Sequence, residues 1–113
     1  MQRTITIDSK EVAMKVTGNT PRAYRNEFTR DLFVDLDTMN KEYLKNGEHA
    51  DFSCIERLAY TMAKQANPEV GTIDEFLDQF DSPLAIYMAM PNILGLWNES
   101  QASINTQKKR NAQ

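Results

Sequence analysis

The chain is poor in the residues on which most protein chemistry depends. It has one cysteine, Cys54, and one histidine, His49, among 113 residues. A lone thiol cannot close an internal disulfide, which fits a reducing compartment. A structural zinc site uses about four Cys or His ligands, and one chain with two such residues does not supply them. The four glycines, Gly18, Gly47, Gly71 and Gly95, are scattered, so no glycine-rich phosphate loop can be built from them. No apolar run approaches the roughly 20 residues that a helix needs to cross a bilayer. The opening MQRTITID lacks the apolar stretch of a signal peptide, which points to the cytoplasm. A basic surplus is missing too: 13 Lys and Arg stand against 16 Asp and Glu, a formal net charge of -3, where a nucleic-acid binder is expected to be basic.

What is present is a soluble globular composition, 41% hydrophobic and 26% charged. The length suits one modest domain whose core leaves much apolar surface uncovered. Ile5 and Ile7 alternate with Thr4 and Thr6, and Val12, Met14 and Val16 alternate with polar neighbours beyond Asp8-Ser9-Lys10. That pattern predicts a β-hairpin around a tight turn, although Ser9-Lys10 stands where glycine is expected. After Gly18-Asn19, Thr20 offers a capping oxygen and Pro21 suits a first helical position. Tyr24, Phe28, Leu32, Leu36, Met39 and Tyr43 then fall within an arc of about 120°, predicting one helix from about Pro21 to about Leu44. Lys45-Asn46-Gly47 should stop it.

A second helix is expected from a cap at Asp51 or Ser53 to about Ala66, with Ile55, Leu58, Ala59, Met62, Ala63 and Ala66 on its inner face and Asn67-Pro68 as its end. Thr72 and Glu75 have the spacing of a capping box and open a short helix with Ile73, Phe76, Leu77 and Phe80 on its apolar side. Ser82-Pro83 opens the last helical region, LAIYMAMPNILGLW, which Pro91 should kink or split after about Ala89. From Asn98 onward the sequence is polar and aperiodic, predicting an unstructured tail. The expected architecture is α+β: an N-terminal β-hairpin followed by a small bundle of about four helices, one domain over 1–98 with a disordered tail over 99–113.

Constellations for catalysis are thin. Cys54 and His49 lie five residues apart in the chain, across a loop-to-helix boundary, with no third group to orient them. Their ordinary roles, a buried thiol and a solvated imidazole, account for both. Asp35-Leu36-Asp37 opens like a calcium loop, but Met39 and Lys41 occupy the third-ligand and glycine positions, so a solvated helix face explains it better. No cofactor, no metal and no enzyme activity is expected. Arg22 and Arg25 lie in the first turns of the first helix, where the macrodipole disfavours cations, and Arg30 follows; they read as solvated, or as facing an acidic partner. Lys108-Lys109-Arg110 is the only basic cluster, weak support for nucleic acid.

The informative surplus is apolar. In the last helical region Leu84, Tyr87 and Met88 point one way, Ile86, Met90, Ile93 and Trp97 another, and Leu96 a third. A helix apolar all round must be covered all round. Either the Pro91 break turns the second half so that both faces reach one core, or another protein covers the excess. The partner reading makes Ile86, Met90, Ile93, Leu96 and Trp97 binding residues, together with the off-stripe Phe33, Val34 and Leu44. Six methionines suit adaptable contacts of that kind.

The block ITIDSKEVAMKVTGNTPRAYRNEFTRDLF (Ile5 to Phe33), the later AYTMAKQANPE (Ala59 to Glu69), IDEFLDQF (Ile73 to Phe80) and PNILGLW (Pro91 to Trp97) together resemble the tail assembly chaperones of long-tailed (siphovirus-type) phages and prophages of Gram-positive bacteria. The likeness runs in order from about Thr4 to Trp97 and includes no catalytic motif. It implies a non-enzymatic protein of the host bacterial cytoplasm, absent from the mature virion, that keeps the tape measure protein soluble and helps the tail tube assemble around it. It further implies a homo-oligomer, here expected to involve Leu84 to Trp97, with no nucleic acid and no membrane as partner. In such families a frameshifted longer form engages the tail tube protein; Lys108-Lys109, if encoded by AAA-AAA, offers a slippery run for one. The alternative class is a non-enzymatic structural or adaptor protein of the tail or connector.

Overall fold

A computed structural model describes residues 1–111, with side chains for all of these except Glu48 and 102–111. Two antiparallel strands, β1 (Gln2–Ile7) and β2 (Lys10–Lys15), form the hairpin in the register Gln2 to Lys15 through Ile7 to Lys10. Six helices follow: α1 (Thr20–Phe28), α2 (Leu32–Asn46), α3 (Ser53–Ala66), α4 (Ile73–Asp78), α5 (Ala85–Met88) and α6 (Met90–Asn111), with single 3₁₀ turns at Gly47–His49 and Pro68–Val70. The α+β architecture read from the sequence is the one observed.

The hairpin turn consists of Asp8 and Ser9, both left-handed at φ 52° and 65°, the conformation a two-residue type I′ turn demands. Asp8 tolerates it and is held there: its Oδ2 accepts from the N–H of Asp81 at 2.7 Å and of Ser82 at 3.4 Å. Alternation sends Ile5, Ile7, Met14 and Val16 into the core, while Gln2, Thr4, Thr6 and Glu11 face solvent. The sheet lies on α3 through β2 and on α5 and α6 through β1. Arg3 pairs with Glu99 of α6, and Lys10 reaches the carbonyl of Gln79, so the hairpin is clamped to the end of α4 and to α6.

Helix α3 is the central element. Cys54, Ile55, Leu58, Ala59, Tyr60, Thr61, Met62 and Ala63 are all buried, a wider face than one stripe supplies. The helix touches every layer around it: the hairpin, α1, α2, α4, α5 and α6. The capping box at Thr72 and Glu75 forms as expected, and Phe76 and Phe80 meet edge to face with ring centroids 5.5 Å apart.

Three expectations are corrected. The single helix expected from Pro21 to Leu44 is two. Thr29 takes a left-handed conformation that ends α1, and Asp31 is an extended N-cap whose carboxylate accepts from the N–H of Val34, so the chain restarts as α2. The tail expected to be unstructured from Asn98 is instead continued as helix, since α6 runs to Asn111. Nothing after Gly95 breaks a helix in that stretch, and extension of an existing helix adds one hydrogen bond per residue fixed. The part of the expected tail at 112–113 lies outside the described residues. Last, the Pro91 break is real but does not turn the chain round. It occupies only Ala89, whose backbone stays near-helical at φ -86°, ψ -3° and whose carbonyl accepts from the N–H of Ile93 at 3.0 Å.

Candidate partner-binding surface

Within one helical phase, Ala85, Ile86, Ala89, Ile93, Leu96 and Trp97 fall inside an arc of about 120° at 100° per residue. All six are buried, with Ile93 and Leu96 fully enclosed. The one-residue interruption at Ala89 keeps α5 and α6 in register, and their common stripe faces β1 and α3. Ile86, Ile93, Leu96 and Trp97, expected to bind a partner, are therefore core residues of the folded chain. Met90 is half-buried against the same core. The opposite side of α5 is what stays bare: Leu84 is 59% and Met88 75% exposed. Sequence reasoning missed this pair because it left Ala85 and Ala89 out of the apolar count. With the two alanines included, the inner stripe is continuous and Leu84 and Met88 fall outside it.

The other expected residues are exposed. Phe33, Val34 and Leu44 lie on α2 with 53%, 59% and 77% of their surfaces open. Eleven residues separate Phe33 from Leu44, three helical turns, so they share one side of α2 about 16 Å apart. Phe33 leans on Trp97, ring centroids 5.8 Å apart and planes at 51°, leaving its other side to solvent. Tyr43, expected in the core stripe, is 53% exposed and rests against Phe52 at 6.1 Å.

What sets α2 at this angle is a polar junction. Asp35 is nearly buried and accepts from Tyr24 Oη at 2.6 Å, from Arg30 Nε at 2.8 Å and Nη2 at 2.9 Å, and from Arg57 Nη2 at 3.4 Å. Arg57 Nε also donates to the Tyr24 hydroxyl at 2.9 Å, so α1, α2 and α3 meet at one carboxylate. The Arg30 fork holds the Asp35 carboxyl below the usual carboxylate range, against the opposing effect of burial. Burial first, and then the neighbouring carboxylate, raise the Tyr24 phenol well above its ordinary value. Asp35, weighed in the sequence as a calcium ligand, is an ion-pair anchor, and Arg30, weighed as a partner contact, is its clamp.

Burial pushes the Cys54 thiol up to about 11, and Sγ lies 3.4 Å from Met39 Sδ, an inert packing environment. His49 is exposed. Among the described residues, no three His, Cys, Asp or Glu side chains are grouped to hold a metal ion. No helix among them is long and apolar enough to cross a membrane.

One groove adjoins the exposed residues of α2. Pro21, Arg22, Arg25 and Asn26 of α1 and Asp31, Leu32 and Phe33 at the start of α2 enclose about 480 Å³. Arg25 pairs with Asp31 at 3.0 Å across it. Comparison with protein-family models, curated proteins and solved structures yields no match.

Proposed function

We propose that this chain is a tail assembly chaperone of a siphovirus-type phage or prophage, a non-enzymatic protein that binds the tape measure protein, keeps it soluble and aids assembly of the tail tube around it. The observation that carries the reading is the order of the four resembling segments along one body: hairpin through α2, then α3, α4 and α6. Exposed Phe33, Val34, Leu44, Leu84 and Met88 add support, since bare apolar side chains of this size are what a holding protein offers to helical apolar stretches of a client. The host bacterial cytoplasm is the compartment this role requires, and the mature virion is not expected to contain the chain.

Co-expression tests it. A siphovirus-type tape measure protein is expressed with and without the chain, and its soluble fraction is measured. A soluble complex only in the presence of the chain is expected. Equal solubility in both cases overturns the proposal, and recovery of the chain in purified particles would favour a structural component of the tail or connector.

A further inference from the structure

We infer that the groove between α1 and the first turn of α2 is a docking site for an acidic amphipathic segment of a partner protein. Pro21 and Phe33 receive its large apolar side chain, and Arg22 its carboxylate. The inference rests on the chaperone reading only for the identity of the partner; the chemistry of the groove stands without it.

Charge is the first observation. Among the described side chains, Arg3 pairs with Glu99, Arg25 with Asp31, and Arg30 and Arg57 both with Asp35. Arg22 is the one described arginine without a carboxylate. It sits in the first turn of α1, where the helix macrodipole disfavours a cation and favours an anion. Asp31, the carboxylate in the groove's lining, pairs with Arg25 and not with Arg22. One oxygen of that carboxylate accepts from Arg25 Nη2 at 3.0 Å, and the other accepts from the Val34 N–H at 3.0 Å as the cap of α2. The groove therefore keeps a positive excess within a chain of net charge -3.

The apolar wall is the second. Phe33 lines the groove and is 53% exposed although its ring has Trp97 beside it at 5.8 Å, so an aromatic side chain supported from the core is offered to a ligand. Pro21 is rigid and half-buried beside it. A fixed aromatic face next to an unpaired guanidinium matches a segment that carries a Leu or Phe and a Glu or Asp one helical turn apart. The net charge of -3 disfavours such a segment on average, whereas the positive excess of the groove favours it locally. A nucleic acid fits the groove poorly, because the one unpaired cation among its described side chains neutralises too few phosphates.

The probes are two labelled synthetic helical peptides with the same leucine stripe, one flanked by Glu and the other by Lys, titrated into the full chain and followed by fluorescence anisotropy. The Glu peptide is expected to bind about tenfold tighter than the Lys peptide, and to weaken as salt is raised. Arg22→Glu should invert the preference, and Phe33→Ser should weaken the Glu peptide about tenfold while circular dichroism stays unchanged. If Arg22→Glu perturbs the fold, Arg22→Gln must abolish the preference instead. Equal binding of the two peptides, no saturable binding of either, or competition by free acetate as strong as by peptide overturns the inference. So does self-association that Arg22→Glu abolishes, which would make a second copy the occupant. A tape measure protein that stays soluble with the chain while both peptides fail removes the groove assignment and leaves the chaperone reading standing.

Discussion

The Tyr24 hydroxyl donates to Asp35 Oδ2 at 2.6 Å, and this contact joins α1 to α2 across the corner that divides the first helical run. Removing the carboxylate strands Arg57 and the phenol in a largely enclosed place. Asp35→Ala is expected to destabilise by about 3 kcal/mol, against about 2 kcal/mol for Tyr24→Phe, which loses the hydrogen bond to Asp35 and the one from Arg57 Nε. Urea unfolding measures both. Equal, small losses would mean that the junction contributes little beyond packing.

Acid should weaken the same corner. Asp35 is held below its ordinary value by Arg30, and Asp51 by hydrogen bonds from Ser53. Because the folded values lie below the unfolded value of 3.8, the contribution is fully present above it and lost as pH falls through the folded values. The thermal midpoint of the wild type should hold down to about pH 5 and drop below about pH 4, and Asp35→Asn, less stable at neutral pH, should drop less. Parallel acid losses in the two proteins would exclude Asp35 as the group responsible.

The two apolar populations should separate under mutation. Trp97 is 6% exposed, and Trp97→Ala is expected to destabilise by about 3–5 kcal/mol. Leu44 is 77% exposed, and Leu44→Ser should stay within about 0.5 kcal/mol. This reverses the sequence-based expectation that Trp97 serves association; its burial makes Trp97→Asp an unfolding substitution. Denaturant midpoints with matched slopes are the measure, and a mild Trp97→Ala would restore the surface assignment.

The hairpin turn offers a gain. Ser9 holds φ 65°, which an L side chain adopts at a penalty and glycine does not. Ser9→Gly should stabilise by about 0.5–1 kcal/mol, whereas Asp8→Gly removes the acceptor for Asp81 and Ser82 and should not. A rise in melting temperature for both would show that the tie to residues 81 and 82 is incidental.

The hairpin, α3, the capping box at Thr72 and the break before Pro91 were legible because each rests on local chemistry: alternation, apolar spacing, a side-chain cap, a missing N–H. The corner at Thr29 was not. The apolar stripe from Tyr24 to Leu36 runs through it without a gap, and only Asp31, readable as an N-cap, marks the restart. The helix beyond Asn98 was misread for the opposite reason, since absent periodicity says nothing against extension of a helix already formed. The exposure of Phe33, Val34 and Leu44 was legible from their phase on the helix. Ile86, Ile93, Leu96 and Trp97 were misplaced because alanines act as buried surface in a stripe even when they add little bulk. Burial of a charge such as Asp35 depends on partners from three helices, and no single segment announces that.

The ties that fasten the hairpin have a temporal meaning. Lys10 reaches Gln79, Asp8 reaches Asp81 and Arg3 reaches Glu99, so the first strand pair is anchored by residues made 69, 73 and 96 positions later. An isolated two-stranded hairpin is marginal in water. On the ribosome, which adds about 5–20 residues per second, the emerging N-terminal segment waits several seconds with Ile5, Ile7, Met14 and Val16 uncovered. Closure of the body is therefore a late event in translation, governed by arrival of the C-terminal third of the polypeptide.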